Sequence, residues 1–180
     1  MESVSTLKLE ALAILDRLTL MELLQPFGEA QVVGSVALDL LVKLDIDIHL
    51  LVNAPDLLSI VDCIYHSLFD REHIHEVRIT DYRKDGGVKL GIDAYPGASG
   101  NWSIDIWVTD HPETTAFSFT ERLMHALQPE HREIILRLKQ YYHQAGLLRD
   151  GLSLLIYKAV VEQGVRTIEE FQPLLGMKQV

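Results

Sequence analysis

The sequence predicts an α/β (α+β) fold: a mixed, mostly antiparallel sheet with helices packed on one face, followed by a C-terminal helical region. Three observations carry that prediction. The stretch Asp45-Ile46-Asp47-Ile48-His49-Leu50 alternates polar and apolar residues strictly, as a strand with one buried face does. Residues 88–95 and 102–108 alternate in the same way, with turn residues at Asp85-Gly86-Gly87 and Pro96-Gly97-Ala98-Ser99-Gly100 before and between them. Beyond Asp110 the apolar spacing changes to three and four residues, the period of a helix, and stays there. That change divides an expected core, residues 1–110, from a helical region, residues 111–180.

Taken in order, residues 6–24 carry leucines and isoleucines at helical spacing, with Ser5 or Thr6 as the N-cap and Pro26 and Gly28 as the stop. Residues 29–33 form a first strand running into Gly34-Ser35. Residues 36–44 suit a short helix or turn that brings the chain back to pair as strand 45–52. Asn53 and Pro55 mark the start of a helix over 57–69. Residues 73–83 alternate again, then come the two strands named above. The polar faces together would carry Asp45, Asp47, His49, Arg78, Tyr82, Lys89, Asp93, Tyr95, Asp105 and Trp107, which makes an open working surface opposite a helical layer. Four helices follow, over 113–127, 129–145, 151–163 and 167–175, with Gly146 and Gly164 as stops and Thr167 as a cap.

Composition excludes some classes. With 180 residues, 48% of them hydrophobic, the chain can bury a real core. A formal net charge of −10 and a pI near 5.2 argue against nucleic acid as the main partner, because binding a polyanion needs clustered Lys and Arg. Cys63, the single cysteine, lies in an apolar helical stretch and reads as a buried thiol. The N-terminal residues lack a basic run followed by an apolar one, and no segment has the apolar length of a membrane span, so the expectation is a cytoplasmic protein with no membrane partner. Nothing in the sequence specifies an oligomeric state.

Asp45 and Asp47 stand about 7 Å apart along one face of a strand, a spacing that suits a cation, although an isolated pair also suits a solvated strand face. His49 on that face reads as a structural hydrogen-bonding group. Trp107 and Tyr95 suit either stacking or plain covering of the sheet. Lys139 and Arg149 read as a solvated helix face. His111, His125, His131 and His143 show no ligand spacing, which argues against a zinc site.

Gly34-Ser35, a short connection, Asp45-Ile46-Asp47 on a strand and Ile104-Asp105-Ile106 on a later strand resemble the signature of the DNA polymerase β-like nucleotidyltransferase superfamily. The likeness is closest to its small bacterial members, the aminoglycoside, lincosamide and minimal nucleotidyltransferases, and covers residues 29–108. The resemblance implies two magnesium ions held by Asp45, Asp47 and Asp105. Asp45 and Asp47 would hold the metal that arrives with the triphosphate. Asp105 would hold the metal at the attacking hydroxyl and could take its proton, and Gly34 and Ser35 would contact the phosphates. Asp93 alternates onto the same face, but Asp105 fits the pattern better. The implied function is magnesium-dependent transfer of a nucleoside monophosphate from a triphosphate, ATP first among candidates, to a hydroxyl with release of pyrophosphate. The acidity of the chain makes the expected acceptor a small molecule. The alternative is a non-catalytic nucleotide-binding, regulatory or partner-binding module on the same fold.

Overall fold

The computed structural model describes residues 5–53, 56–149 and 151–175. By its internal contacts the chain divides into two compact units, residues 1–121 and 122–180.

The first unit opens with helix α1 (Thr6–Arg17), capped by the Ser5 hydroxyl, which accepts from the Lys8 amide at 3.2 Å. The single helix expected over 6–24 is broken after Leu18. Thr19 takes a left-handed conformation (φ 47°), an unusual one for a β-branched residue, and its hydroxyl accepts from Arg71 Nη1 at 2.8 Å. Helix α2 (Leu20–Leu24) follows as a separate element. The break lets Leu18, Leu20 and Leu24 all enter the core, which a continuous helix with its 100° step per residue would not.

Strand β1 (Gly28–Val33) leads through the short helix α3 (Gly34–Leu38) to strand β2 (Asp45–Val52), which pairs antiparallel with β1. Helix α4 (Leu57–Phe69) is capped by Asp56; the expected signal at Pro55 lies outside the described residues. Its core side is Val61, Ile64 and Leu68, so Cys63 falls on the outer side and is exposed, not buried as its apolar neighbours suggested. Strands β3 (Arg78–Tyr82), β4 (Gly87–Gly97) and β5 (Gly100–Thr109) complete a five-stranded sheet of order β1-β2-β5-β4-β3. Only β2 and β5 run parallel. β3 is an edge strand and shorter than the alternation over 73–83 predicts. With most of its residues exposed, that alternation has no core to serve.

One apolar face of the sheet is sealed by α1, α2 and α4. Ile46, Ile48 and Leu50 of β2, Leu90 and Ile92 of β4, and Ile104, Ile106 and Val108 of β5 are all but fully buried there. α1 is also stapled to the β4–β5 turn. Its Glu10 carboxylate accepts from the Ser99 amide (3.0 Å), the Ser99 hydroxyl (2.5 Å) and Trp102 Nε1 (3.0 Å), which holds the carboxyl below its ordinary pKa.

β4 departs from its expected alternation. Its pairing with β5 shifts between Ile92 and Tyr95, where Ala94 adopts φ 57°. This bulge moves every later side chain of the strand by one step. Tyr95, expected on the polar face, is therefore completely buried in the core.

Helix α5 (Phe117–Ala126) spans the division between the units and starts later than expected, because Pro112–Thr114 form a separate 3-10 turn. The second unit contains α6 (Pro129–Gln144), α7 (Leu152–Gln163) and α8 (Ile168–Leu175). Thr167 and Glu170 cap α8 reciprocally, each side chain accepting from the other's amide. Lys139, expected on a solvated face, is 1% exposed. Its ammonium donates to the Tyr157 hydroxyl at 2.9 Å.

Candidate active site

The polar face of the sheet is built in rows, because a residue and its cross-strand partner share a face. Asp47 on β2 is the register partner of Asp105 on the parallel strand β5, and Asp105 is in turn the partner of Gly91 on β4. Adjacent strands lie about 4.8 Å apart, so Asp47 and Asp105 are neighbours at the backbone. Asp45, two residues before Asp47, shares its face. The three sequence-predicted aspartates thus stand on one patch of two adjacent strands, each half-buried.

Gly34 and Ser35 reach the same patch. Gly34 has φ 62°, and a β-carbon there would stand 3.1 Å from Asp47 Oδ2, so both conformation and space select glycine. Ser35 follows inside α3 and is buried. The C-terminal end of α3 is held by its surroundings. Ser5 donates to Asp39, the α3 C-cap, through both its amide (3.1 Å) and its hydroxyl, and Lys8 Nζ donates to the Ala37 carbonyl at 2.9 Å. The residues at the start of α1 therefore anchor the short helix that follows the Gly34-Ser35 turn.

Two lysines complete the patch. Lys43 Nζ lies 3.1 Å from Asp45 Oδ2, and Lys89 Nζ lies 3.1 Å from Asp105 Oδ2. Lys89 comes from β4, one row away from Gly91. The absence of a side chain at Gly91 gives Asp105 its room: a β-carbon there would meet Asp105 Oδ1 at 3.3 Å. Sequence reasoning placed Lys89 on this face but assigned it no partner, and weighed Gly91 as a neighbour of Asp93 that suits substrate packing or solvent, not as room for Asp105. Ion pairing between strands is a tertiary fact, and the only sequence signal for Gly91 was a small residue inside an alternating strand.

Three carboxylates on neighbouring strands are hard oxygen donors of the kind magnesium takes. Among the described residues, no three His, Cys, Asp or Glu side chains already converge on one point suited to a metal. Lysine ammonium groups occupy Asp45 and Asp105 in that arrangement. The donor set and strand register fit magnesium. Holding it requires these two carboxylates to exchange lysine for metal.

His49 lies one row beyond Asp47, paired with Trp107. Its Nδ1 accepts from the Ala116 amide at 3.0 Å, which leaves the ring proton on Nε2. Burial lowers its pKa to about 4, so the ring is neutral at neutral pH and adds no cation to the acidic face. Asp93 is engaged by Arg78 and exposed, outside the aspartate row.

No described helix is long and apolar enough to cross a membrane. Neither a protein-family model nor a curated protein matches the sequence. Solved structures do. One Cid1 poly(U) polymerase structure is 17% identical with a TM-score of 0.66, over 90% of this chain and 50% of that one. A cytoplasmic RNA terminal U-transferase is 14% identical with a TM-score of 0.63, over 93% of this chain and 51% of the other. Cid1 with MgGTP bound is 17% identical with a TM-score of 0.60, over 78% and 44%. This chain spans about half the length of these proteins. These structures do not bear on the likeness of the sequence pattern to the small bacterial enzymes.

The neighbours are, by name, enzymes of RNA, which overturns the expectation of no nucleic-acid partner. The error was to use net charge where its distribution counts. Residues 1–121 carry 20 acidic and eight basic residues, but residues 122–180 carry six acidic and eight basic. At this identity the likeness speaks for the fold alone: this chain shares the fold of the Cid1 poly(U) polymerase and RNA terminal U-transferase structures over most of its length.

Proposed function

We propose that this chain is a magnesium-dependent nucleotidyltransferase that moves a nucleoside monophosphate from a nucleoside triphosphate to a hydroxyl of an RNA acceptor, with release of pyrophosphate. The observation that supports it most is the register of Asp47 with Asp105 across parallel strands, with Asp45 on the same face and Gly34 closed against Asp47. In this reading Asp45 and Asp47 bind the ion that arrives with the triphosphate, and Asp105 binds a second ion. Bound magnesium supplies charge stabilisation for the attacking and leaving oxygens of an in-line displacement. The Gly34 amide and Ser35 hydroxyl hold phosphate oxygens. Asp105 orients the acceptor hydroxyl and takes its proton as the oxygen bonds to the α-phosphorus and the bond to the bridging oxygen breaks. Lys43 and Lys89 compensate the carboxylates before substrate arrives.

The neighbours' RNA substrates support the acceptor class, and magnesium with GTP in one of them supports the cofactor and donor. A second reading, a non-catalytic nucleotide-binding module, is favoured by the lysines seated on two of the three carboxylates. Titration calorimetry with magnesium and ATP or UTP, followed by pyrophosphate release with single-stranded RNA, decides between them. Turnover supports the enzyme. Nucleotide binding with no turnover on any RNA end supports the module, and no nucleotide binding removes both.

A further inference from the structure

We propose that the hairpin of β3 and β4 is the platform that holds the acceptor strand, with Tyr82 and Trp107 stacking a base and Arg83 and Lys84 binding the phosphates beside it. This rests on the reading of the chain as an RNA-directed transferase and assigns the residues that would make it one.

Charge singles out the hairpin. Of the eight basic residues in the acidic first unit, four fall within the hairpin, residues 78–97: Arg78, Arg83, Lys84 and Lys89, against Asp81, Asp85 and Asp93, the last paired with Arg78. A segment of net positive charge inside a strongly negative unit is the footprint that a polyanion needs. The side chains of Arg78 and Arg83 are 60% and 51% exposed. Asp81 grips Arg83 through Nε (3.0 Å) and Nη2 (2.7 Å), which orients the guanidinium and leaves the Nη1 donors for a phosphate.

Aromatic placement is the second observation. Tyr82 at the end of the edge strand β3 is 39% exposed, and its ring centroid lies 5.8 Å from that of Trp107. The Trp107 indole lies directly on the backbone of Gly87, where a β-carbon would stand 2.6 Å from the ring. Gly87 therefore gives the indole a flat floor next to the Tyr82 ring. Single-stranded nucleic acid is held by this combination of aromatic faces and cations.

The third observation is position. Trp107 pairs with Lys89 and stands two residues from Asp105 on the same face, about 7 Å along the strand. A strand lying over the hairpin would therefore bring its terminal hydroxyl toward Asp105. Exposed cations on an edge strand also guard against edge-to-edge pairing. That account needs no aromatic pair and predicts no effect on RNA.

The test uses the full chain and a fluorescein-labelled oligouridylate, with affinity read by anisotropy across a salt series. Tyr82→Ala should weaken binding about tenfold, as loss of one stacking face does, and Tyr82→Phe should bind like wild type. Arg83→Gln with Lys84→Gln should weaken binding at low salt and reduce the slope of log affinity against log salt by about two. Both changes should raise the KM for RNA while magnesium-dependent ATP binding stays as it was. Wild-type affinity and slope in all these variants would overturn the hairpin assignment and leave the RNA reading standing. A wild-type chain that binds no oligonucleotide, yet binds ATP with magnesium, overturns both.

Discussion

Strands β4 and β5 are neighbours with the same alternating pattern in sequence, and only one of them keeps it. β5 holds its period from end to end: Ile104, Ile106 and Val108 are buried, and Ser103, Asp105 and Trp107 face the other way. β4 holds it from Val88 to Ile92 and then slips at Asp93-Ala94, so that Tyr95 turns into the core. Period-two patterns report a face only while the backbone stays regular, and a single extra residue reverses all that follows. Asp105, on the regular strand, arrives beside Asp47. Asp93, at the irregularity, is taken by Arg78.

The difference can be tested side chain by side chain. Tyr95→Ala should cost about 3–5 kcal/mol of stability in urea unfolding, the range for deleting a buried aromatic. A Tyr95 on the polar face would cost far less. Tyr95→Phe should be neutral or slightly stabilising, because the buried hydroxyl has no hydrogen-bond partner. Asp105→Asn should leave ATP affinity within a few-fold and lower turnover by on the order of a hundredfold, whereas Asp93→Asn should change turnover by less than about threefold. Equal losses in the two variants would mean that the bulge does not separate their roles.

Smaller effects follow. Glu10→Gln should remove about 1–2 kcal/mol, since three donors converge on its carboxylate from the β4–β5 turn and a neutral amide accepts them less strongly. Its folded pKa lies below the unfolded one. The stabilisation is therefore present above the ordinary carboxylate range and is lost as pH falls through the folded value. Unfolding curves in acid should show that loss in wild type and a flatter dependence in Glu10→Gln. Ala94→Gly, at a residue with φ 57°, should raise stability by up to about 1 kcal/mol if the bulge is as seen, because glycine takes this conformation without strain. A clear loss of stability would argue for regular backbone there.

The two units teach a related lesson about charge. A single net value of −10 hides a unit that is strongly acidic and a unit in which basic residues outnumber acidic ones, and, within the first, a basic hairpin. Lys139 shows the same limit at the scale of one residue. The helical pattern of α6 does not say that this lysine is 1% exposed and donates to a tyrosine from α7, because burial of a charge depends on what another helix places opposite it.

What the sequence determined by itself was local and periodic. The faces of β2 and β5, the caps at Ser5 and Thr167, the turns at Gly86 and Gly100 and the fold class follow from propensity, alternation and spacing, which act between residues a few positions apart. The likeness of Gly34-Ser35, Asp45, Asp47 and Asp105 to a known signature was legible for the same reason, since each piece is short and ordered. Only the tertiary structure decided the break at Thr19, the exposure of Cys63, the burial of Tyr95 and Lys139, and the lysine partners of Asp45 and Asp105. Each of these is set by a residue distant in the chain or by a backbone irregularity. Arg71 reaches Thr19 from 52 residues away, and Lys89 reaches Asp105 from 16. The free energy of such contacts belongs to the packed state, and no local window of sequence contains both partners.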